Sequence, residues 1–256
     1  MMVNVCVLVT RPEDQADSLC SLLEQEGYSS VRFPVIAIEA LQGTGGLVFL
    51  AKAADYDWVI FVSANAVRYS LASLSGLQNR LLEKKIAAVG LATTEAIESL
   101  GLRVDIVPDS GFNSEALLAA LSQQQVSGRR LLIVRGQGGR EWLADRLRLL
   151  GAEVDYWEVY RRIKPPISHR VMIGLGLEYK VDIVTIMSSE ALDNLLAMVD
   201  DEIKRVLTLK PLIVISERIR KKALGFGFNH VVVTQSPAPE DIVVAVKSIS
   251  IGEDCG

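Results

Sequence analysis

Three blocks of this sequence occur twice, in the same order, and no other feature restricts the fold as much. VLVTRPEDQADSLCSLLEQEG aligns with LLIVRGQGGREWLADRLRLLG, so that Arg11 meets Arg135 and Gly27 meets Gly151, both 124 positions apart. DWVIFVSANAVRYSL aligns with DIVTIMSSEALDNLL at an offset of 125, pairing Asp57 with Asp182, Ser63 with Ser188 and Ala66 with Ala191. VGLATTEAIESLG aligns with ISERIRKKALGFG at 126, pairing Gly90 with Ser216 and Gly101 with Gly227. A chain of 256 residues built this way reads as two similar domains.

Each block alternates strand-like and helix-like runs. The spacing predicts strands at Val3–Thr10, Trp58–Ser63, Ile86–Val89, Val104–Val107, Leu131–Arg135, Val154–Tyr160, Ile183–Met187, Pro211–Ser216 and His230–Thr234. Helical periodicity falls between most of them, for example at Glu13–Gly27, Ser114–Ser122, Glu141–Leu150 and Glu190–Val199. Runs such as VCVLV and LLIV are apolar on both faces, the pattern of a parallel sheet covered by helices on either side. The fold class expected is α/β, with two similar doubly wound parallel-sheet domains.

Periodicity allows two ways of cutting the chain. One divides it near residue 125. The other joins the block beginning VLVTRP to the blocks beginning DIVTIM and ISERIR, and leaves the intervening three blocks as a separate domain. The crossings then fall at ALQGTGG and at YRRIKPPISHR, which are glycine-rich and proline-rich respectively and read as linkers. That both repeats cross at the same place favours this cut. Domain 1 is then residues 1–36 plus 166–256, domain 2 is 45–157, and the linkers are 37–44 and 158–165.

Several function classes are excluded. A net charge of -4 gives no reason to expect nucleic-acid binding. No run reaches the roughly 18 apolar residues of a membrane helix, and the first ten residues lack the pattern of a signal peptide. Cys6, Cys20 and Cys255 are scattered without metal spacing and fit a reducing cytoplasm. With two histidines, His169 and His230, a histidine metal site or triad is hard to build, while a carboxylate-only Mg2+ site stays open on this ground. No Walker or nucleophile-elbow motif is present.

In doubly wound sheets, ligands bind beyond the carboxyl ends of the strands. The residues there are Thr10-Arg11, Ser63-Ala64-Asn65, Gly90, Arg135-Gly136, Ser188-Ser189, Ser216 and Thr234. Each precedes a helix, whose first N–H groups and positive dipole end favour anions. Two such rims would line a cleft for an anionic ligand. Ser, Thr and Asn are also ordinary N-caps, so the set carries more weight than any member.

The Gly136-Gln137-Gly138-Gly139 turn lacks the third glycine of a dinucleotide fingerprint, since position 141 is Glu. Its repeat partner contains no glycine. The turn therefore reads as a carboxylate receptor at a helix N-terminus beside Arg135. Tyr160 ends a strand at the crossing, where its repeat partner is Ile36. Position alone leaves two readings, an aromatic packed on a domain edge or a proton donor beside the cleft. Arg161, Arg162 and Lys164 are equally open, as a solvated run or a rim.

LVTRP, DWVIFVSANAV, AAVGLATTEAIESLG, LLIVRGQGGREWLADRLRLLGAEVDYWEVYRR and VVVTQSPAPEDIVVAV together resemble the uroporphyrinogen-III synthase family, over about Val5 to Val246. The resemblance implies two α/β domains on a two-stranded linker, the first discontinuous. It implies a cofactor-free and metal-free lyase that cyclises hydroxymethylbilane to uroporphyrinogen III, with loss of water and inversion of ring D, in haem and sirohaem biosynthesis. Tyr160 then matches the tyrosine thought to assist departure of the hydroxyl. Thr10, Arg11, Ser63, Asn65, Ala66, Gly90, Thr93, Arg135, Gly136, Ser188 and Ser189 match substrate-binding positions. The Gly-Pro-Thr turn of many members is replaced by Ser216-Glu217-Arg218-Ile219, so Ser216 or Arg218 stands in for that threonine. A monomer is expected, receiving its substrate from hydroxymethylbilane synthase. The other reading is a two-domain binder of a small anionic or tetrapyrrole ligand without turnover.

Overall fold

The computed structural model describes residues 5–41, 51–52, 55–72, 77–166, 176 and 180–252. Along the chain the elements run β1 (Cys6–Val9), α1 (Glu13–Gln25), β2 (Ser29–Arg32), β3 (Ala37–Ala40), β4 (Trp58–Phe61), α2 (Ala64–Ala72) and α3 (Leu77–Leu81). There follow β5 (Lys85–Ala88), α4 (Leu91–Glu98), α5 (Ser114–Ser122), β6 (Arg130–Gly136), α6 (Trp142–Leu149) and β7 (Glu153–Ile163). The last are β8 (Ile183–Ile186), α7 (Ser189–Met198), α8 (Asp201–Thr208), β9 (Leu212–Val214), α9 (Glu217–Gly225), β10 (Val231–Val233) and α10 (Pro239–Ile251).

Two compact units result. Unit 1 is Met1–Ala37 with Ile163–Gly256, and unit 2 is Ile38–Arg162. Their sheets have the orders β10-β9-β8-β1-β2 and β3-β7-β6-β4-β5. The pairs β1–β2, β1–β8, β8–β9 and β9–β10 are parallel, as are β4–β5, β4–β6 and β6–β7. By the repeat, β2, β1, β8, β9 correspond to β7, β6, β4, β5, so unit 2 adds only β3 beside β7.

The exchange of blocks has a local cause. Asp182 accepts the Cys6 N–H at 2.9 Å through Oδ2, and Asp57 accepts the Arg130 N–H at 2.9 Å in the same way. These equivalent aspartates start the pairing of β8 with β1 and of β4 with β6. Gly27 and Gly151, also equivalent, both sit at φ 84°, a left-handed turn that favours glycine after a helix.

Strand residues pointing to opposite faces bury separate helix layers. In unit 1, Val7, Val9, Ile183 and Ile213 pack against Leu19 and Leu23 of α1 and Ile242 and Val246 of α10. In unit 2, Val59, Phe61, Leu132 and Val134 pack against Ala66 and Val67 of α2 and Ile97 of α4. Trp58, Ile60, Leu131 and Ile133 face Leu117 and Leu121 of α5 and Leu143 and Leu147 of α6. Unit 2 is thus wound on both faces.

Some elements differ from those expected. Val104–Val107 forms no strand and makes a single bridge, Ile106 to Ala87. Asp105 spends its carboxylate on the Ile86 N–H at 2.8 Å, and Pro108 has no N–H to extend a ladder. The equivalent β10 is Val-Val-Val and does pair. The stretches 37–44 and 158–165 are strand at Ala37–Ala40 and as far as Ile163; residues 42–44 lie outside the described residues. Arg161 binds Glu39 at 2.6 Å there. The helix after the glycine turn starts only at Trp142, because Gly138 and Gly139 oppose helix where the partner block has Asp14 and Gln15. The unexpected α10 starts on Pro239, Glu240 and Asp241, a strong helix beginning.

Candidate functional site

In unit 2, β4 runs on to β5 on one side and β6 to β7 on the other, so the strand order reverses between β4 and β6. A cavity of about 310 Å³ opens there, the place where doubly wound sheets bind ligands. Its lining includes Val62 and Ser63 after β4, Arg135 and Gly136 ending β6, and Gln137–Arg140 of the turn. Leu143 and Ala144 of α6, Ser114 of α5, Ile133 of β6, and Tyr156, Tyr160 and Arg162 of β7 complete it.

A β-bulge aims Tyr160. The β6–β7 register pairs Arg135 with Glu158 but Gly136 with Tyr160, so Val159 is an extra residue. Val159 and Tyr160 consequently join one core cluster together with Trp157. Strict alternation would have turned Tyr160 to the other face, with Tyr156. Tyr160 is 5% exposed, and its phenol stands 3.2 Å from the Ser63 hydroxyl. Ser63 caps α2 by accepting the Ala66 N–H at 3.0 Å. The Gln137 N–H donates to the Tyr160 carbonyl at 2.8 Å.

Gly136 makes room for this ring. A β-carbon at 136 would lie 2.5 Å from two Tyr160 ring carbons and 2.9 Å from its oxygen.

Arg135 is not presented as a free carboxylate receptor. Its guanidinium is buried and donates to the carbonyls of Gly136 at 3.2 Å, Arg140 at 3.5 Å and Gly139, and to Glu141 Oε1 at 3.2 Å. It also lies 4.5 Å above the Tyr156 ring. Burial first, then the Glu141 carboxylate, pushes the Tyr156 phenol up to about 12. Tyr156 and then Arg135 hold the Glu141 carboxyl below the ordinary carboxylate range. At the far end of the sheet, burial and Asp155 push Tyr56 up to about 12 as well.

A group whose pKa is raised on folding stabilises the fold below its unfolded value, about 10 for tyrosine. That contribution is lost as pH rises through the folded value. Stability should therefore fall between about pH 10 and pH 12, with Tyr56 and Tyr156 ionising late in that window. An alkaline titration of tyrosinate absorbance checks this. Tyr56→Phe and Tyr156→Phe should each remove part of the late rise, and an unchanged curve would refute the assignment.

The cavity gathers Ser63, Arg135, Gly136 and Tyr160 of the expected residues. Asn65 is half-buried on the first turn of α2, and Ala66 is buried in the core with its N–H on Ser63. Gly90 caps α4, where a β-carbon would lie 3.0 Å from Phe112 Cβ; Thr93 is buried one turn on. In unit 1, Thr10 is 2% exposed and its hydroxyl donates to the Thr185 carbonyl at 2.6 Å, a bond within the sheet. Arg11 reaches the Pro237 carbonyl, its Nε has no partner among the described residues, and burial lowers its pKa. Ser188 caps α7 at 3.0 Å and Ser216 caps α9 at 3.4 Å. Ser189 opens α7, and Arg218 is exposed on α9.

Ser114, Arg140 and Tyr156 were not anticipated. Ser114 and Arg140 come together through a bond between elements, Arg140 to Glu115 at 3.0 Å, which no local pattern announces. His169 and Cys255 lie outside the described residues. Among the described residues no three His, Cys, Asp or Glu side chains cluster to hold a metal, and no helix is long and apolar enough to cross a membrane.

Comparison with known proteins fits this architecture. The family model described as uroporphyrinogen-III synthase HemD matches residues 17–244. The chain is 28% identical over 245 residues to the uroporphyrinogen-III synthase of Escherichia coli K12, covering 94% of this chain and 99% of that one. It is 35% identical over 159 residues to that of Proteus mirabilis, covering 61% and 80%. The crystal structure of Helicobacter pylori uroporphyrinogen-III synthetase superposes with a TM-score of 0.66 at 13% identity, over 96% of this chain and all of that one. A mutant uroporphyrinogen III synthase from Thermus thermophilus gives 0.59 at 18%, over 98% of this chain and all of that one. These two likenesses carry the fold, the family model carries the sequence across nearly its whole length, and the chain belongs to the uroporphyrinogen-III synthase family.

Proposed function

We propose that this chain is a cyclising lyase that converts hydroxymethylbilane to uroporphyrinogen III. In that reaction the C–O bond of the hydroxymethyl group breaks and the oxygen leaves as water. The azafulvene so formed is attacked by ring D, which closes inverted. The chemistry needs a proton for the leaving hydroxyl and a binding mode that enforces the folded conformer.

The observation that carries this reading is the Tyr160 phenol, held 3.2 Å from Ser63 at the strand-order reversal of unit 2. The Ser63 oxygen already accepts the Ala66 N–H. Its own proton can therefore turn onto the Tyr160 oxygen, which leaves the phenolic proton for the departing hydroxyl. The turn and the start of α6 supply N–H groups for substrate carboxylates. In unit 1, Arg11, Arg218 and the beginnings of α7 and α9 offer the same chemistry. Thr10, Asn65, Ala66, Gly90 and Thr93 support these rims from within. The reading includes linkers at 37–44 and 158–165, a monomer, and a reducing cytoplasm, where buried thiols such as Cys6 and Cys20 stay free. Handover from hydroxymethylbilane synthase would suit an unstable substrate.

The test is isomer analysis. Hydroxymethylbilane generated in situ from porphobilinogen closes unaided to isomer I. With this chain, isomer III should dominate, and Tyr160→Phe should lower kcat by about a hundredfold with little change in KM. Isomer I alone, from a folded chain, would instead indicate a ligand binder without turnover.

A further inference from the structure

We propose that Arg135 is a positioning residue, whose buried guanidinium shapes the turn from Gly136 to Glu141 and through it sets where Tyr160 stands. This rests on the reading that Tyr160 and the turn face the substrate.

The side chain of Arg135 is 4% exposed. A guanidinium carries five N–H donors in one plane and no acceptor. Here those donors meet the carbonyls of Gly136, Gly139 and Arg140 and the carboxylate of Glu141. A second carboxylate, Glu158, stands 3.8 Å from Nε. A substrate carboxylate would have to displace bonds already made. The turn has instead been wrapped around the arginine.

Wrapping has a directional consequence. In a planar trans peptide the C=O and the following N–H point opposite ways. With the carbonyls of Gly139 and Arg140 drawn onto the guanidinium, the N–H groups of Arg140 and Glu141 are turned away from it. Glycine at 139 is part of the arrangement, since a β-carbon there would lie 3.1 Å from Arg135 Nη2. The other end of the turn is tied to Tyr160, through the Gln137 N–H and through Gly136 beneath the ring. One planar cation thus holds a loop whose opposite end seats the phenol.

The repeat supplies a contrast. Arg11 occupies the equivalent position in unit 1, yet among the described residues it reaches only the Pro237 carbonyl and its Nε meets no acceptor. The Pro12-Glu13-Asp14 segment after it continues directly into α1 instead of looping around the side chain. The clamp therefore belongs to the glycine-rich copy of the block, the copy that carries Tyr160.

The experiment compares wild type with Arg135→Lys and Glu141→Gln. Lysine keeps the charge but not the planar fork. Glu141→Gln loosens one leg of the clamp without altering a buried residue, so it carries the test if the lysine variant does not fold. The first readout needs no substrate: the amide signals of Gly138 and Gly139 and the ring signals of Tyr160 in NMR spectra of the free protein. Both variants should shift them. The second is kinetic, with hydroxymethylbilane formed in situ. For Arg135→Lys, kcat should fall about tenfold or more with KM held within about threefold, and the fraction of isomer III should drop; Glu141→Gln should move the same way by less.

Unmoved glycine and Tyr160 signals in both variants would overturn the proposal. So would a raised KM at wild-type kcat in the lysine variant, the behaviour of a residue that grips substrate. A wild-type protein yielding only isomer I would refute the proposed activity and this role in it, whatever the spectra show.

Discussion

Replacing Gly136 by alanine should lower kcat for ring closure by about a hundredfold while leaving the protein folded. The backbone at 136 is not in the left-handed region, so alanine meets no conformational penalty there. The obstacle is spatial. The new methyl would stand 2.5 Å from Tyr160 ring carbons, and the ring must move by an ångström or so to clear it. Movement of that size takes the phenol out of reach of both Ser63 and the leaving hydroxyl. The check is a kcat measurement beside circular dichroism and a melting curve. Gly136→Ala combined with Tyr160→Phe should be no slower than the worse single variant, because both remove the same function. Wild-type turnover in Gly136→Ala would show that Tyr160 is not the proton donor.

Phe61→Ala should cost about 3–5 kcal/mol of stability, the usual range for a large aromatic lost from a packed core. Phe61 is 1% exposed and shares a cluster with Val134, Trp157 and Tyr160. The void would open at the end of β4, two residues before Ser63. The loss should be local to unit 2. Hydrogen exchange should show protection lowered in β4 and β6 and kept in β1 and β8, and urea unfolding should give the magnitude. A loss below about 1 kcal/mol would mean the site collapses around the gap.

Much of the architecture was legible because it rests on periodicity and on repetition. Asp57 and Asp182 aligned in the sequence, and in the structure each accepts the first amide of the strand beside it. The helix caps Ser63, Ser188 and Ser216 were visible for the same local reason. The candidate site was legible only in part. Residue types marked Tyr160, but its direction depends on the bulge after Arg135, which alternation cannot reveal. Arg135 stood at a rim and looked available. That its donors turn back onto the loop follows from the three glycines of the turn, which let carbonyls approach a guanidinium closely. Edge strands β2 and β3 were missed because half-buried, mixed segments such as SSVR and AIEA carry little period-2 signal.

The crosswise pairing also orders events during synthesis. Unit 2 is an uninterrupted run of chain, while β1 pairs with β8, whose residues lie about 175 positions later. At about 5–20 residues per second, β1 leaves the ribosome on the order of ten to thirty seconds before its neighbour is made. Its apolar strand, Cys6–Val9, must wait all that time with one edge unpaired. Unit 2, whose segments are all available by residue 162, can finish first. Unit 2, which carries Tyr160, is thus able to mature before unit 1, and a strand made ahead of all of unit 2 gains its β8 neighbour only after unit 2 is complete.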